Sequence, residues 1–227
     1  MHMDKTIGQL ALERPHAIAV LERWKIDYCC RGNRSVAEAC DEAGISIGEL
    51  MAAIGTDKVA TNDWGTLTEL QRHIVATHHA YTRQACETLD LLSRKVAGRH
   101  GDRHAEVLEV RQLTAELIGD LLPHMMKEEQ ILFPYVEGLE NGGTGDSCFG
   151  TVANPVRVMM MEHERVGELL VALRAATSEY KLPDDACLSF RALYETLAGL
   201  ERDLHEHIHL ENNVLFPRAL RLEEESA

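Results

Sequence analysis

The sequence predicts an all-α chain, with a small N-terminal helical domain followed by a four-helix bundle. Three observations lead there. First, apolar residues recur at spacings of three and four through four long segments, about 66–97, 104–136, 154–178 and 184–222, and nothing in this half reads as a strand. Second, the breaks between them carry helix-stopping residues: Gly98 to Gly101, Asn141 to Gly150, and Lys181-Leu182-Pro183. Segments of this length make helices of roughly 40–50 Å, which suits a bundle. Third, two stretches eighty-three positions apart are near-copies. His124-Met-Met-Lys-Glu128-Glu-Gln-Ile-Leu-Phe-Pro134 aligns with His207-Ile-His-Leu-Glu211-Asn-Asn-Val-Leu-Phe-Pro217, so the bundle reads as internally duplicated.

Residues 1–60 form the first domain and 61–227 the second. Thr6 caps a short helix through Leu12, and Pro15 suits the first turn of the next, which carries Ile18, Leu21 and Trp24. Asp27-Tyr28-Cys29-Cys30-Arg31-Gly32-Asn33 is a turn. Val36, Ala39 and Cys40 begin another helix, stopped by Gly44, and Ser46 with Glu49 forms a capping box for a helix to Ile54. A domain this small is near the lower limit for folding alone, so it should lean on a partner surface. Gly55 to Trp64 is a polar linker.

Composition narrows the function. The 227 residues hold 23 Lys and Arg against 37 Asp and Glu, a net charge of −14 that would repel phosphate backbones and argues against nucleic acid. No apolar run is long enough to cross a membrane and the N-terminus has no signal-type segment, so the expectation is a cytoplasmic protein. Six cysteines in such a chain point to redox or metal chemistry rather than a disulfide framework.

The inward faces show where that chemistry sits. Leu193, Leu197, Leu200, Leu204, His207, Glu211 and Val214 make one stripe in the last helix. Val110, Leu113, Leu117, Leu121, His124, Glu128 and Ile131 repeat it in the second, and Val156, Met160, His163, Val166, Leu170 and Leu173 in the third. A His and a Glu four apart point the same way on a helix. An unpaired carboxylate in a core costs several kcal/mol, so two of them beside three histidines at one depth call for cations. In the first helix the stripe Leu67, Leu70, Ile74 leads equally to His78 or His79. His205 and His209 fall on a mostly polar face and are not expected to bind metal. Glu129 and Glu162 flank candidate ligands and could support them or line a route to the metals, although a solvated face is the simpler reading. His100 and His104 read as exposed, Met159-Met160-Met161 as core, and Cys40, Cys86, Cys148 and Cys187 as packing or loop residues.

Tyr28-Cys29-Cys30-Arg31-Gly32, Glu38-Ala39-Cys40, His79-x-x-x-Arg83, Glu162-His163 and the two His-x-x-x-Glu…Leu-Phe-Pro stretches together resemble the Repair of Iron Centers family, over nearly the entire chain. That family places a hemerythrin-like di-iron bundle behind a small cysteine-bearing domain. The resemblance implies two non-heme iron ions held by His79, His124, His163 and His207, with Glu128 and Glu211 as bridging carboxylates, and it selects His79 over His78. One departure is His78 itself, where the family has an aromatic, which leaves a rival ligand next door. The resemblance also implies a transfer role for Cys29 and Cys30, damaged iron–sulfur proteins or a cluster scaffold as partners, and NO or O2 as small ligands. The implied function is repair of iron–sulfur clusters after nitrosative or oxidative stress. Its rivals are reduction of NO to nitrous oxide and hemerythrin-like O2 binding.

Overall fold

A computed structural model describes residues 5–55, 64–143 and 149–226; Cys148 and most of the linker lie outside them. The described residues are all-α, with no strand among them. Helices α1 (Ile7–Glu13), α2 (Ile18–Arg23, entered through a 3-10 turn at Pro15–Ala17), α3 (Val36–Ala43) and α4 (Ile47–Ile54) build the N-terminal unit. Thr6, Ser35 and Ser46 each cap a helix reciprocally with the residue three on, Gln9, Glu38 and Glu49. Each such cap stabilises by about 1 kcal/mol, which matters for helices of two turns. Gly44 ends α3 with φ +68°, a left-handed conformation that favours glycine.

The bundle consists of α5 (67–100), α6 (106–140), α7 (Ala153–Ala176) and α8 (188–226), with α5 packed on α8 and on α6, and α6 on α7. Thr66 and Glu69 make a fourth capping box at the start of α5. Two apolar clusters fill the interior. Leu89, Leu117, Leu170, Leu193 and Leu197 belong to one, and Leu70, Ile74, Leu132, Phe133, Met159 and Phe216 to the other. Between them in sequence, on all four helices, come the buried histidines and glutamates.

The N-terminal unit leans on the bundle, as its size requires. Its core of Ile7, Leu10, Leu21, Cys40 and Leu50 closes over Tyr28, whose ring meets that of His209 at 5.2 Å. Burying such a ring stabilises by on the order of 2 kcal/mol. Glu22 pairs with His205 at 2.6 Å, and Lys25 with Glu179 at 2.5 Å. The exposed lysine pair contributes little beside the buried contacts. Asn213 sits in a cradle that only glycine allows: a Cβ on Gly32 would meet Asn213 Oδ1 and the Tyr28 carbonyl, both at 2.5 Å.

Two stripes are corrected near the histidine layer. Ile131, expected inward, is 48% exposed, and Leu132 is buried in its place. Val214 is likewise displaced by Leu215. The cause is a π-turn in each helix, Glu128–Leu132 and Glu211–Leu215, which adds a residue to the turn and slips the face by one. Pro134 and Pro217 follow two residues after each π-turn. A proline ring clashes with the carbonyl four residues back, and the widened turn relieves it. In α7 the buried methionine is Met159 and not Met160, which the stripe placed inward; Met160 and Met161 are exposed, so the three are not a core block.

Candidate metal centre

Each bundle helix contributes a buried imidazole to one layer: His79 from α5, His124 from α6, His163 from α7 and His207 from α8. Glu128 and Glu211, 0% exposed, complete it. The donors fall into two groups, His79, Glu128, His207, Glu211 and His124, Glu128, His163, Glu211, with the ligand atoms of each group within 4.8 Å of one another. Both glutamates belong to both groups. Glu128 Oε2 lies 3.3 Å from His79 Nε2 and Oε1 3.4 Å from His124 Nε2. Glu211 Oε1 lies 2.9 Å from His207 Nε2 and Oε2 3.2 Å from His163 Nε2. Each carboxylate thus spans the two groups, one oxygen apiece.

The outer ring nitrogens fix how the inner ones face. His79 Nδ1 lies 2.6 Å from Glu129 Oε1, His124 Nδ1 2.8 Å from Glu162 Oε2, and His163 Nδ1 2.9 Å from Asn212 Oδ1. These oxygens only accept, so Nδ1 carries the proton and each Nε2 turns a lone pair inward. Inside, His79 Nε2 faces His207 Nε2 at 3.2 Å, and His163 Nε2 faces His124 Nε2 at 3.1 Å. Both oxygens of Glu128 and Oε2 of Glu211 are buried without a hydrogen bond to any described residue. Converging ring nitrogens and two buried carboxylates call for positive charge between them, supplied by bound cations or by protons on the imidazoles. The donor set fits a cation, since mixed imidazole and carboxylate ligands suit first-row divalent metals such as iron.

A family model for the hemerythrin HHE cation binding domain matches residues 70–219, and a domain of unknown function (DUF542) matches residues 3–58. The chain belongs to the hemerythrin family. Its relatives include proteins named iron-sulfur cluster repair protein YtfE: 36% identical in Escherichia coli O157:H7, and 35% identical in Escherichia coli O1:K1 and in Escherichia fergusonii. Each match spans 96% of this chain and 98% of the relative.

Within this hemerythrin domain, protons compete with cations for the same nitrogens. Burial opposes a charge on His124, but Glu128 and Glu162 outweigh it and push the imidazole up to about 10. His79 is raised by Glu128 against the same penalty, whereas burial holds His207 below the ordinary range. The facing imidazoles draw the buried Glu211 well below the usual carboxylate range.

The structure brings His79, not His78, into the layer. His78 turns to Asp203 at 3.0 Å and stacks on the His207 ring at 5.4 Å. Glu129 and Glu162 are not solvated as expected. They hold imidazoles, and Arg83 and Lys127 hold them in turn. Asn212 was not singled out by the sequence, although its place right after Glu211 could have flagged it. His205 and His209 stay outside the layer and bind the N-terminal unit through Glu22 and the Tyr28 carbonyl. His100, expected exposed, is buried on the Phe190 ring with Nε2 3.2 Å from Cys187 Sγ, and His104 pairs with Asp185 at 2.9 Å. Cys40 and Cys86 are buried and Cys187 is exposed. Cys29 and Cys30 lie against α7, where the Cys30 thiol donates to the His163 carbonyl at 3.5 Å. No helix among the described residues is long and apolar enough to cross a membrane.

Proposed function

We propose that this protein holds two irons in its bundle and repairs iron–sulfur clusters damaged by nitrosative or oxidative stress, by donating iron, binding NO, or both. The observation that carries this reading is the pair of four-donor groups sharing Glu128 and Glu211. The likeness to proteins named for cluster repair supports it over 96% of the chain. His79, His207 and the two glutamates hold one iron; His124, His163 and the same glutamates hold the other. Iron bound there would supply a redox-active centre able to take up NO or O2. Glu129, Glu162 and Asn212 fix the imidazole tautomers, and Phe133 and Phe216 stack on His79 and His163 at 5.9 Å, limiting water at the centre. The domain boundary falls near residue 60, and damaged iron–sulfur proteins or a cluster scaffold in the cytoplasm would be the acceptors.

Cys29 and Cys30, on the N-terminal unit yet touching α7, handle the transfer. Changing both to Ala should leave the iron content intact and lower the rate of anaerobic cluster reconstitution. Full activity in that variant would remove the cysteines from the path. Catalytic formation of nitrous oxide from NO under anaerobic turnover would favour the reductase reading, and stable oxygenation spectra the O2-binding one.

A further inference from the structure

Beyond the histidine layer, a second set of donors converges. Asp27 offers a carboxylate oxygen, and Cys29 and Cys30 their sulfurs, all within 4.8 Å of one another. The two thiols are free and their sulfurs lie 3.9 Å apart. Tetrahedral metal–sulfur bonds of about 2.3 Å would set two sulfurs about 3.8 Å apart. Adjacent cysteines therefore already stand at the bite of a single metal, without a disulfide. Asp27 Oδ1, 3.4 Å from Cys29 Sγ, takes the backbone N–H groups of Cys29 at 3.0 Å, Cys30 at 3.0 Å and Arg31 at 3.3 Å. This folds the loop so that both thiols point one way and anchors the carboxylate beside them. The three residues line a cleft of about 740 Å³ between the N-terminal unit and the bundle, with Gly167, Arg174 and Glu201 on the far wall.

We infer that Asp27, Cys29 and Cys30 form a separate cation site for a thiolate-seeking divalent metal, ferrous iron or one like it, with its remaining position open to the cleft. That the metal passing through it is iron bound for a damaged cluster rests on the function proposed above; the site itself does not. Loading is an exchange without redox change. One divalent ion replaces two thiol protons, which leave to solvent, and the ion, two thiolates and one carboxylate carry a net charge of −1. Cys30, burial and Asp27 all raise the Cys29 thiol, so loading displaces a proton there. Because metal binding displaces thiol protons, loading of the site is pH-dependent. Loading also removes the S–H that Cys30 donates to the His163 carbonyl, which links occupancy of the loop to the helix bearing a centre imidazole.

The test is an anaerobic titration of the iron-loaded full chain with cadmium(II), following cadmium–thiolate charge-transfer absorption, free thiols and retained iron in one sample. One saturable cadmium per chain should consume two thiols and leave the iron in place. The double variant Cys29→Ser/Cys30→Ser should lose the band. Asp27→Asn keeps an oxygen for the three N–H groups, so the loop folds, but it should weaken cadmium binding about 10-fold or more, as lost ligands and their supports do. No saturable band in the wild type, a band that persists in the double serine variant, or unchanged affinity in Asp27→Asn would overturn the inference. Absence of bundle iron alongside an intact cadmium site would instead count against the proposed function alone.

Discussion

At the residue scale, the centre depends on which ring nitrogen carries a proton. Glu162 is drawn down to about 2, chiefly by its bond to His124. It therefore stays ionised at neutral pH and keeps the His124 Nδ1 proton in place. Glu162→Gln should weaken metal binding about 10- to 100-fold, the range for partners of this kind, as read by competition with a chelator. Among the three alternating histidines of α8, His207→Ala should strip the centre or weaken it by roughly 10-fold or more, while His205→Ala and His209→Ala keep their metal. His209 has a different signature. Burial lowers its imidazole to about 4. Below the ordinary value near 6.5 the unfolded chain takes a proton that the folded chain refuses. Stability should thus fall as pH drops from about 6.5 through about 4. In metal-free protein, urea unfolding of His209→Gln across that range should show a shallower slope than the wild type. The inward His124, Glu128, His163, His207 and Glu211 were legible because each interrupts an apolar stripe, whereas the stripe of the first helix left His78 and His79 equal. Glu129 and Glu162 could be read as support for the ligands or as solvated, and the choice was not legible, since both reach across to other helices and no spacing within one helix reveals that.

At the scale of elements, α8 does two jobs with two faces. His207 and Glu211 look inward, while His205, His209 and Asn213 follow one another at four-residue steps and grip the N-terminal unit. Asn212 lies between these faces and joins them, taking the His163 Nδ1 proton on one atom and donating to the Cys29 carbonyl at 3.3 Å with the other. Helix ends were legible from Thr6, Ser46, Gly44 and the breaks, because caps are local chemistry. The π-turns were not, because a reading at 3.6 residues per turn assumes the regularity they break, and so Ile131 was placed inward. The cradle around Asn213 gives this scale its own prediction. Gly32→Ala would push a Cβ into Asn213 and the Tyr28 carbonyl and should cost about 1–3 kcal/mol. Limited proteolysis should show the N-terminal unit cut faster, with bundle iron retained.

At the scale of the whole molecule, the chain pairs a buried layer of histidines and glutamates with a small unit whose Cys30 thiol meets the helix that carries His163. Sequence alone required that unit to lean on something, and left open what. The answer lies in polar contacts from α8 that no hydrophobic stripe announces. The central claim is that the bundle side chains hold two irons, with Glu128 and Glu211 common to both. Mössbauer spectroscopy with iron quantitation, on protein produced with iron-57 and purified without air, tests it most directly. The account predicts two irons per chain in a coupled pair, lost together when Glu128 and Glu211 are both changed to Ala and retained when Cys29 and Cys30 are. A single uncoupled iron in the wild type, or a coupled pair that survives loss of both glutamates, would contradict it.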